Sequence, residues 1–170
     1  MSVTYPLGFR AAGMSAGLKP SGRPDLALLI GDPGTTVAGL FTTNRVAAAP
    51  VWYCKEVLST ERGRALVVNS GQANAATGER GDADARTVAA AAASALGMEP
   101  YDVLACSTGV IGEPLHLDAM IPALPTLAAT LSREGGPDFA RAIMTTDTVE
   151  KQAIADAGAF RVGGCAKGVG

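Results

Sequence analysis

The sequence has few of the residues that would indicate a metalloprotein or a disulfide-stabilised protein. It contains one histidine, three cysteines and only 5% aromatic residues. Because His116 has no Cys/His cluster around it in the sequence, we expect no zinc site and no other metal. Cys54, Cys106 and Cys165 are odd in number and scattered. This usage fits a reduced cytoplasm better than a disulfide framework.

Long hydrophobic runs and an excess of basic charge are also lacking. The longest apolar stretch, residues 88–96, is too short to span a bilayer. Met1 is not followed by a basic stretch and a long apolar run, so we expect no signal peptide. The net charge of −2 gives no basic surface. We therefore expect neither a membrane nor a nucleic acid as partner.

Small and apolar residues are abundant instead. Hydrophobic residues make up 48% of the 170 residues, and there are 21 glycines. A chain of this length fits one domain or one large part of a domain. We expect a tightly packed core of small side chains.

Hydrophobic patterning predicts alternating strands and helices, that is, an α/β fold. Residues 1–24 read as extended segments and turns, and residues 25–30 and 36–41 as a hairpin. We predict helix 82–96 with Asp82 as N-cap and Gly97 just past its end. The other predicted strands are 64–68, 102–106 and 159–162; the other predicted helices are 51–58, 138–144 and, as one or two helices interrupted by prolines, 114–131.

The stretch of greatest chemical interest follows the predicted strand 102–106. There the chain passes into Ser107-Thr108-Gly109. The Thr108 hydroxyl and the unshielded Gly109 N–H can together hold a developing oxyanion. The alternative is that this stretch is only the end of a strand followed by a turn.

Two other polar stretches are candidate site residues. Residues 69–75 follow a buried strand, and their amides either line a site or cap their own backbone. Residues 144–148 contain three threonines and a carboxylate, which either bind a polar ligand or cap the next element. Lys167 lies in a glycine-rich stretch without the order of a phosphate loop, and its charge suits a substrate carboxylate.

Six of these segments, in this order and spacing, resemble one family. They are Gly8-Phe9-Arg10-Ala11-Ala12-Gly13, Phe41-Thr42-Thr43-Asn44, Asn69-Ser70-Gly71-Gln72-Ala73-Asn74-Ala75, Ser107-Thr108-Gly109-Val110-Ile111-Gly112, Ala142-Ile143-Met144-Thr145-Thr146-Asp147-Thr148 and Gly163-Gly164-Cys165-Ala166-Lys167-Gly168-Val169-Gly170. Over nearly its whole length the chain resembles the alpha chain of the ornithine acetyltransferases of arginine biosynthesis.

The resemblance implies a mechanism. Members of that family cleave their own precursor before a threonine, which becomes the first residue and the nucleophile of a beta chain. The acetyl group moves from N2-acetyl-L-ornithine to L-glutamate by a ping-pong mechanism, without a cofactor. Thr108 and Gly109 would form the oxyanion hole, and Thr145 and Lys167 would bind substrate. Some members also accept acetyl-CoA as a co-substrate, and the quoted motifs do not separate the two kinds.

The resemblance also implies a fold and an assembly. The fold would be α/β, with layered sheets and helices of the self-cleaving, N-terminal-nucleophile-like type. Residues 1–170 would form a single alpha-chain segment, completed by the beta chain in an alpha2beta2 assembly. Two alternatives remain at this point. One is a self-cleaving aminopeptidase with an N-terminal nucleophile, and the other is a ligand-binding module without chemistry of its own.

Overall fold

The computed structural model describes residues 2–168, which form a mixed α/β structure. A four-stranded sheet and a two-stranded sheet make up its β-structure. The strands are β1 (Phe9–Met14), β2 (Leu26–Gly31), β3 (Ala65–Gln72), β4 (Val103–Val110), β5 (Lys151–Asp156) and β6 (Arg161–Ala166). The helices are α1 (Ala49–Ser59), α2 (Gly78–Leu96), α3 (Leu117–Ala129) and α4 (Gly136–Ala142). Within residues 2–168 no helix is long and apolar enough to cross a membrane.

The larger sheet has the strand order β1-β2-β3-β4. The pairs β1–β2 and β2–β3 are antiparallel, whereas the pair β3–β4 is parallel. A parallel pair needs a crossover connection, and α2 provides it. As a result, β3 and β4 end at the same side of the sheet.

The predicted hairpin between residues 25–30 and 36–41 is wrong. The strand that pairs with β2 on this side is β1, with Phe9 opposite Gly31 and Met14 opposite Leu26. The other edge of β2 is occupied by β3. Because both edges of β2 are filled, no position remains for residues 36–41, which lie outside the strands.

One face of the sheet is covered by α1, α2 and α3. The main hydrophobic core lies there, and it includes the buried side chains of Leu28, Val67 and Val103. Helix α2 contributes mainly alanines to this core, among them Ala89 and Ala92. Small side chains bring the helix close to its neighbours, as the composition predicted.

Helix α2 begins at Gly78, one turn before the predicted N-cap, so Asp82 does not cap it. The Asn74 side-chain amide donates to the Gly81 carbonyl at 2.8 Å, and the Thr77 hydroxyl donates to Asn74 Oδ1 at 2.8 Å. These contacts hold the chain in place upstream of Asp82. The predicted end is confirmed, since Gly97 has φ 66° and its N–H caps the last turn.

Helix α3 is continuous although it contains Pro122 and Pro125. Each proline removes one helical hydrogen bond. Met120, Leu124 and Leu127 nevertheless lie on one face of the helix and are fully buried. Burial of these side chains offsets the lost bonds, so the stretch forms one helix rather than two.

The second sheet is a hairpin of β5 and β6. The prediction missed β5, whose residues are almost all exposed and show no apolar alternation. It also placed the last strand too early, at residues 159–162, since β6 continues through Gly163 and Gly164. A Cβ on Gly163 would lie 2.1 Å from the Ser2 carbonyl oxygen, so the glycine admits a close approach of two main chains. Val169 and Gly170, the last residues of the sixth motif, lie outside the described residues.

Candidate active site

The two parallel strands end in polar residues that lie side by side. Ser70 is in register with Thr108, Gly71 with Gly109, and Gln72 with Val110. Neither strand stops where the sequence predicted, since residues 69–72 and 107–110 belong to the ladder. The pairing of the two polar segments with one another extends both strands beyond their apolar part.

Gly109 occupies a position that excludes a side chain. Its φ is +136°, and a Cβ built on it would lie 2.0 Å from the Gly71 carbonyl oxygen. The obstacle is main chain of the neighbouring strand, so no rotamer change relieves it. Gly109 itself is exposed and Thr108 is half-buried. The stretch singled out from the sequence is therefore an accessible part of the β4 edge with an unusual backbone.

A cavity of about 980 Å³ opens beside these residues. Three of the four predicted site residues line it, namely Thr108, Gly109 and Thr145. Charged and polar side chains complete the wall: Lys19, Gln72, Glu113, His116 and Thr146. His116 is exposed and precedes the first residue of α3. The structure thus brings together segments that are more than one hundred residues apart in sequence.

Lys167, the fourth predicted site residue, is exposed and follows β6 directly. It is outside the lining of the large cavity. Burial of its ammonium group lowers its pKa, while the nearby Cys106 thiol and Asp147 carboxylate act in the opposite direction. Lys167 therefore lies near the open face of β4 with a partly desolvated charge.

The polar segment 69–75 has a mixed role. Asn69 donates to the Gln72 carbonyl at 2.9 Å, Asn74 donates to Gly81, and Ser70 donates to Ala142. Only the Asn69 bond caps the segment's own backbone, whereas Asn74 and Ser70 donate to carbonyls of other segments. Gly71 and Gln72, in contrast, line the cavity. The buried Oε1 of Gln72 has no hydrogen-bond partner among the described residues.

The side chains that hold the cavity wall in place, Asp25 and Lys19, are not among the predicted site residues. The buried Asp25 carboxylate accepts hydrogen bonds from the N–H groups of Ala16 (2.6 Å), Leu18 (2.7 Å) and Lys19 (3.0 Å). Lys19 Nζ donates to the carbonyls of Pro24 (2.8 Å) and Met144 (2.6 Å). Burial lowers the pKa of Lys19.

These contacts tie the loop at residues 16–19 to the segment that contains Thr145. A signal for them existed in the sequence, namely a carboxylate at the start of an apolar strand. The position of this carboxylate in the sequence does not indicate which main-chain N–H groups it would bind. Among the described residues no group of three or more His, Cys, Asp or Glu side chains is placed to hold a metal ion.

Comparison with known proteins identifies the family. Residues 10–170 match the model of the ArgJ family. The chain is 53% identical over 173 residues to the arginine biosynthesis bifunctional protein ArgJ of Thermosynechococcus vestitus, covering 99% of this chain and 41% of that protein. It is 47% identical over 171 residues to the protein of the same name from Streptomyces coelicolor, covering 100% of this chain and 45% of that protein.

Solved structures agree with this assignment. The fold matches ornithine acetyltransferase of Mycobacterium tuberculosis, complexed with ornithine, with a TM-score of 0.97 and 44% identity over 99% of this chain and 92% of that chain. It also matches arginine biosynthesis bifunctional protein ArgJ of Bacillus halodurans, with a TM-score of 0.89 and 39% identity over 100% and 91% of the two chains. The chain spans less than half the length of the two curated relatives named above. From the family match, the sequence identity and the shared fold, we conclude that this chain belongs to the ArgJ family.

Proposed function

We propose that residues 1–170 are the alpha part of an acetyltransferase that moves the acetyl group of N2-acetyl-L-ornithine to L-glutamate. The observation that supports this most strongly is the convergence of Thr108, Gly109 and Thr145 on one cavity. The names of the relatives and the ornithine complex of the M. tuberculosis enzyme support the substrate class.

In the proposed reaction the nucleophile is a threonine hydroxyl in the remainder of the protein. It attacks the acetyl carbonyl, and the ornithine amine leaves with the proton, so that an acetyl ester remains on the threonine. The amine of glutamate then attacks this ester, which forms N-acetylglutamate and restores the hydroxyl. Each attack places negative charge on the acetyl oxygen, and this charge must be stabilised.

Thr108 and Gly109 are suited to that stabilisation. The Val110 carbonyl faces β3, since it accepts the Ala73 N–H at 2.8 Å. Alternate residues of a strand direct their N–H and C=O groups to opposite sides. We infer that the Gly109 N–H points away from β3, toward the open edge of β4. The Thr108 hydroxyl is the second donor.

Thr145 and Lys167 would bind the amino-acid part of the substrates. Donor and acceptor share an α-carboxylate, and the ammonium group of Lys167 complements that charge. The Thr145 hydroxyl adds a hydrogen bond from the cavity wall.

The remainder of the protein would act as the beta chain, cut from the same precursor, in an alpha2beta2 assembly. The partial coverage of the relatives leaves room for such a chain. Exposed apolar side chains on the hairpin, Ile154, Phe160 and Val162, together with the open edge of β4, offer it a contact surface. The three unpaired cysteines fit a cytoplasmic enzyme.

The oxyanion hole is tested with Thr108→Ala in the full-length protein. We expect kcat to fall by about 10²–10³, the usual effect of removing one oxyanion donor. The matched control is Thr126→Ala, at an exposed position of α3, which should leave kcat unchanged. Unchanged turnover in Thr108→Ala would remove this residue from the oxyanion hole.

The carboxylate contact is tested with Lys167→Ala in the same assay. We expect the KM values for N-acetylornithine and glutamate to rise together, because both substrates carry the α-carboxylate. If both KM values stay unchanged, Lys167 does not bind that group. If the wild-type protein releases free amino acids from peptides and transfers no acetyl group, it is an aminopeptidase instead.

A further inference from the structure

The Asp147 carboxylate lies outside the cavity lining and contacts two segments that contain predicted site residues. It accepts hydrogen bonds from the N–H groups of Gly168 (2.8 Å) and Thr145 (3.3 Å). It also forms an ion pair with Lys151, although its own side chain is fully buried. A buried carboxylate with a cation and two N–H donors is fully partnered.

Lys151 contacts both Asp147 and the main chain that Asp147 binds. Its ammonium group contacts Asp147 and also donates to the Gly168 carbonyl at 2.7 Å. The N–H and the C=O of Gly168 are therefore held by two side chains that bind one another. Lys151 is the first residue of β5, and Gly168 follows β6, so the contacts tie together the two ends of the hairpin.

The two segments joined in this way contain Thr145 and Lys167. Thr145 lies on the cavity wall, and Lys167 precedes the clamped Gly168. Asp147 also acts electrostatically on Lys167 and on Lys19. Asp147 therefore contacts the main chain of two segments, one with a hydroxyl of the cavity wall and one with a cation.

We propose that Asp147 is a positioning residue, which with Lys151 holds Thr145 and Lys167 at the separation that the substrates need. This inference rests on the proposed function for the roles of Thr145 and Lys167. The Asp147 side chain is fully buried and lies outside the cavity lining, so its proposed role is to position other residues. The hydrogen bonds from Lys151, Gly168 and Thr145 hold the pKa of its carboxyl well below the usual range, which favours the ionised form that pairs with Lys151.

The test is Asp147→Asn in the full-length protein, with two readouts. Asparagine keeps the size and one acceptor oxygen but loses the charge that binds Lys151. We expect faster hydrogen exchange at the amides of Thr145 and Gly168 together. We also expect KM to rise about tenfold for both substrates, with kcat changed by less than about threefold, because binding geometry and not acyl chemistry is affected.

Two further variants frame this result. Lys151→Met removes the cation from a half-exposed position. Hydrogen exchange at Thr145 and Gly168 and both KM values should rise, by less than in Asp147→Asn. This variant also tests the proposal if Asp147→Asn fails to fold. Asp156→Asn is the matched control, since Asp156 forms an exposed ion pair with Arg161 in the same hairpin. It should leave exchange at Thr145 and Gly168, and both KM values, unchanged.

Each outcome is decisive. Unchanged exchange at the two amides in Asp147→Asn overturns the clamp itself. Faster exchange with unchanged KM, in a protein whose wild type transfers acetyl groups, overturns the positioning role. If the wild type transfers no acetyl group, the proposed function fails, and with it the role toward these substrates. The exchange data then still decide whether the clamp exists.

Discussion

The two faces of the four-stranded sheet differ sharply. One face is covered by α1, α2 and α3 and contains most of the fully buried side chains. On the other face α4 covers mainly β1 and β2, with a small cluster around Phe139. There Cys106 is exposed and Thr108 is half-buried. The covered face provides the stability, and the open side of β3 and β4 presents the groups suited to chemistry.

Because the two faces differ in this way, we expect substitutions on the covered face to change stability and substitutions on the open side to change activity. The covered face buries many small apolar side chains. Truncating one of them should therefore lower the free energy of unfolding. The open side has polar groups at a sheet end, where accessibility matters more than packing. Three substitutions test this division on the full-length protein.

The largest expected loss of stability comes from Leu124→Ala. Leu124 is fully buried in α3, and truncating such a leucine costs about 2–5 kcal/mol in the free energy of unfolding. Thr126→Ala, two residues along the same helix, changes an exposed position and should cost less than about 0.5 kcal/mol. Urea unfolding of both variants measures the difference. Equal losses would mean that α3 does not bury this face.

A smaller loss is expected from Gly109→Ala. The positive φ and the overlap with the Gly71 carbonyl describe one main-chain obstacle, for which we expect a loss of about 1–3 kcal/mol together with loss of turnover. Gly97→Ala is the control, since its φ is also positive at 66° but a Cβ there meets open space. It should cost about 1 kcal/mol and leave turnover unchanged. If the two variants are equally stable, the strands do not approach as closely as described.

The smallest expected effect is on the pH dependence of stability, and it comes from Tyr53 on the covered face. Burial raises the pKa of Tyr53 to about 12, and its hydroxyl donates to the carbonyls of Pro100 and Val103. The folded protein thus keeps a proton that the unfolded chain loses near pH 10. The stability from this group is present below pH 10 and is lost as pH rises toward 12.

Tyr53→Phe should flatten that part of the stability curve. The check is the unfolding midpoint of the wild type and the variant between pH 9 and pH 12. The wild-type midpoint should fall more steeply than that of Tyr53→Phe. Parallel curves would show that the Tyr53 hydroxyl titrates as readily in the folded protein as in the unfolded chain.

Much of the fold followed from local patterns. The sequence predicts a helix over residues 82–96 from Asp82 as N-cap and from Gly97 just past its end, and the glycine end is confirmed. The start of that helix was predicted wrongly, because contacts of Asn74 and Thr77 extend it. Strand β5 was missed since its exposed residues show no alternation, and pairing with β6 alone defines it.

The candidate site was predicted residue by residue but not as an arrangement. Thr108 and Gly109 are predicted site residues because a hydroxyl and a glycine follow an apolar run. The structure places both beside a cavity. The sequence gives Asp25 no contact, and it gives Asp147 only a place in a stretch that binds a ligand or caps the next element. Their partners are mainly main-chain N–H groups, which every residue has, so sequence contains no signal that selects them.

The α/β class, most of the helices and the family resemblance are predictable from the sequence, because these depend on short-range periodicity and on residue identity at fixed spacing. Long-range packing is what places Ser70 beside Thr108, brings Gly109 against a neighbouring main chain, and joins Thr145 to Gly168 through Asp147. The physical reason is that strand register and buried carboxylate contacts are fixed by packing between distant segments. Local sequence does not encode which of many equivalent backbone groups will meet.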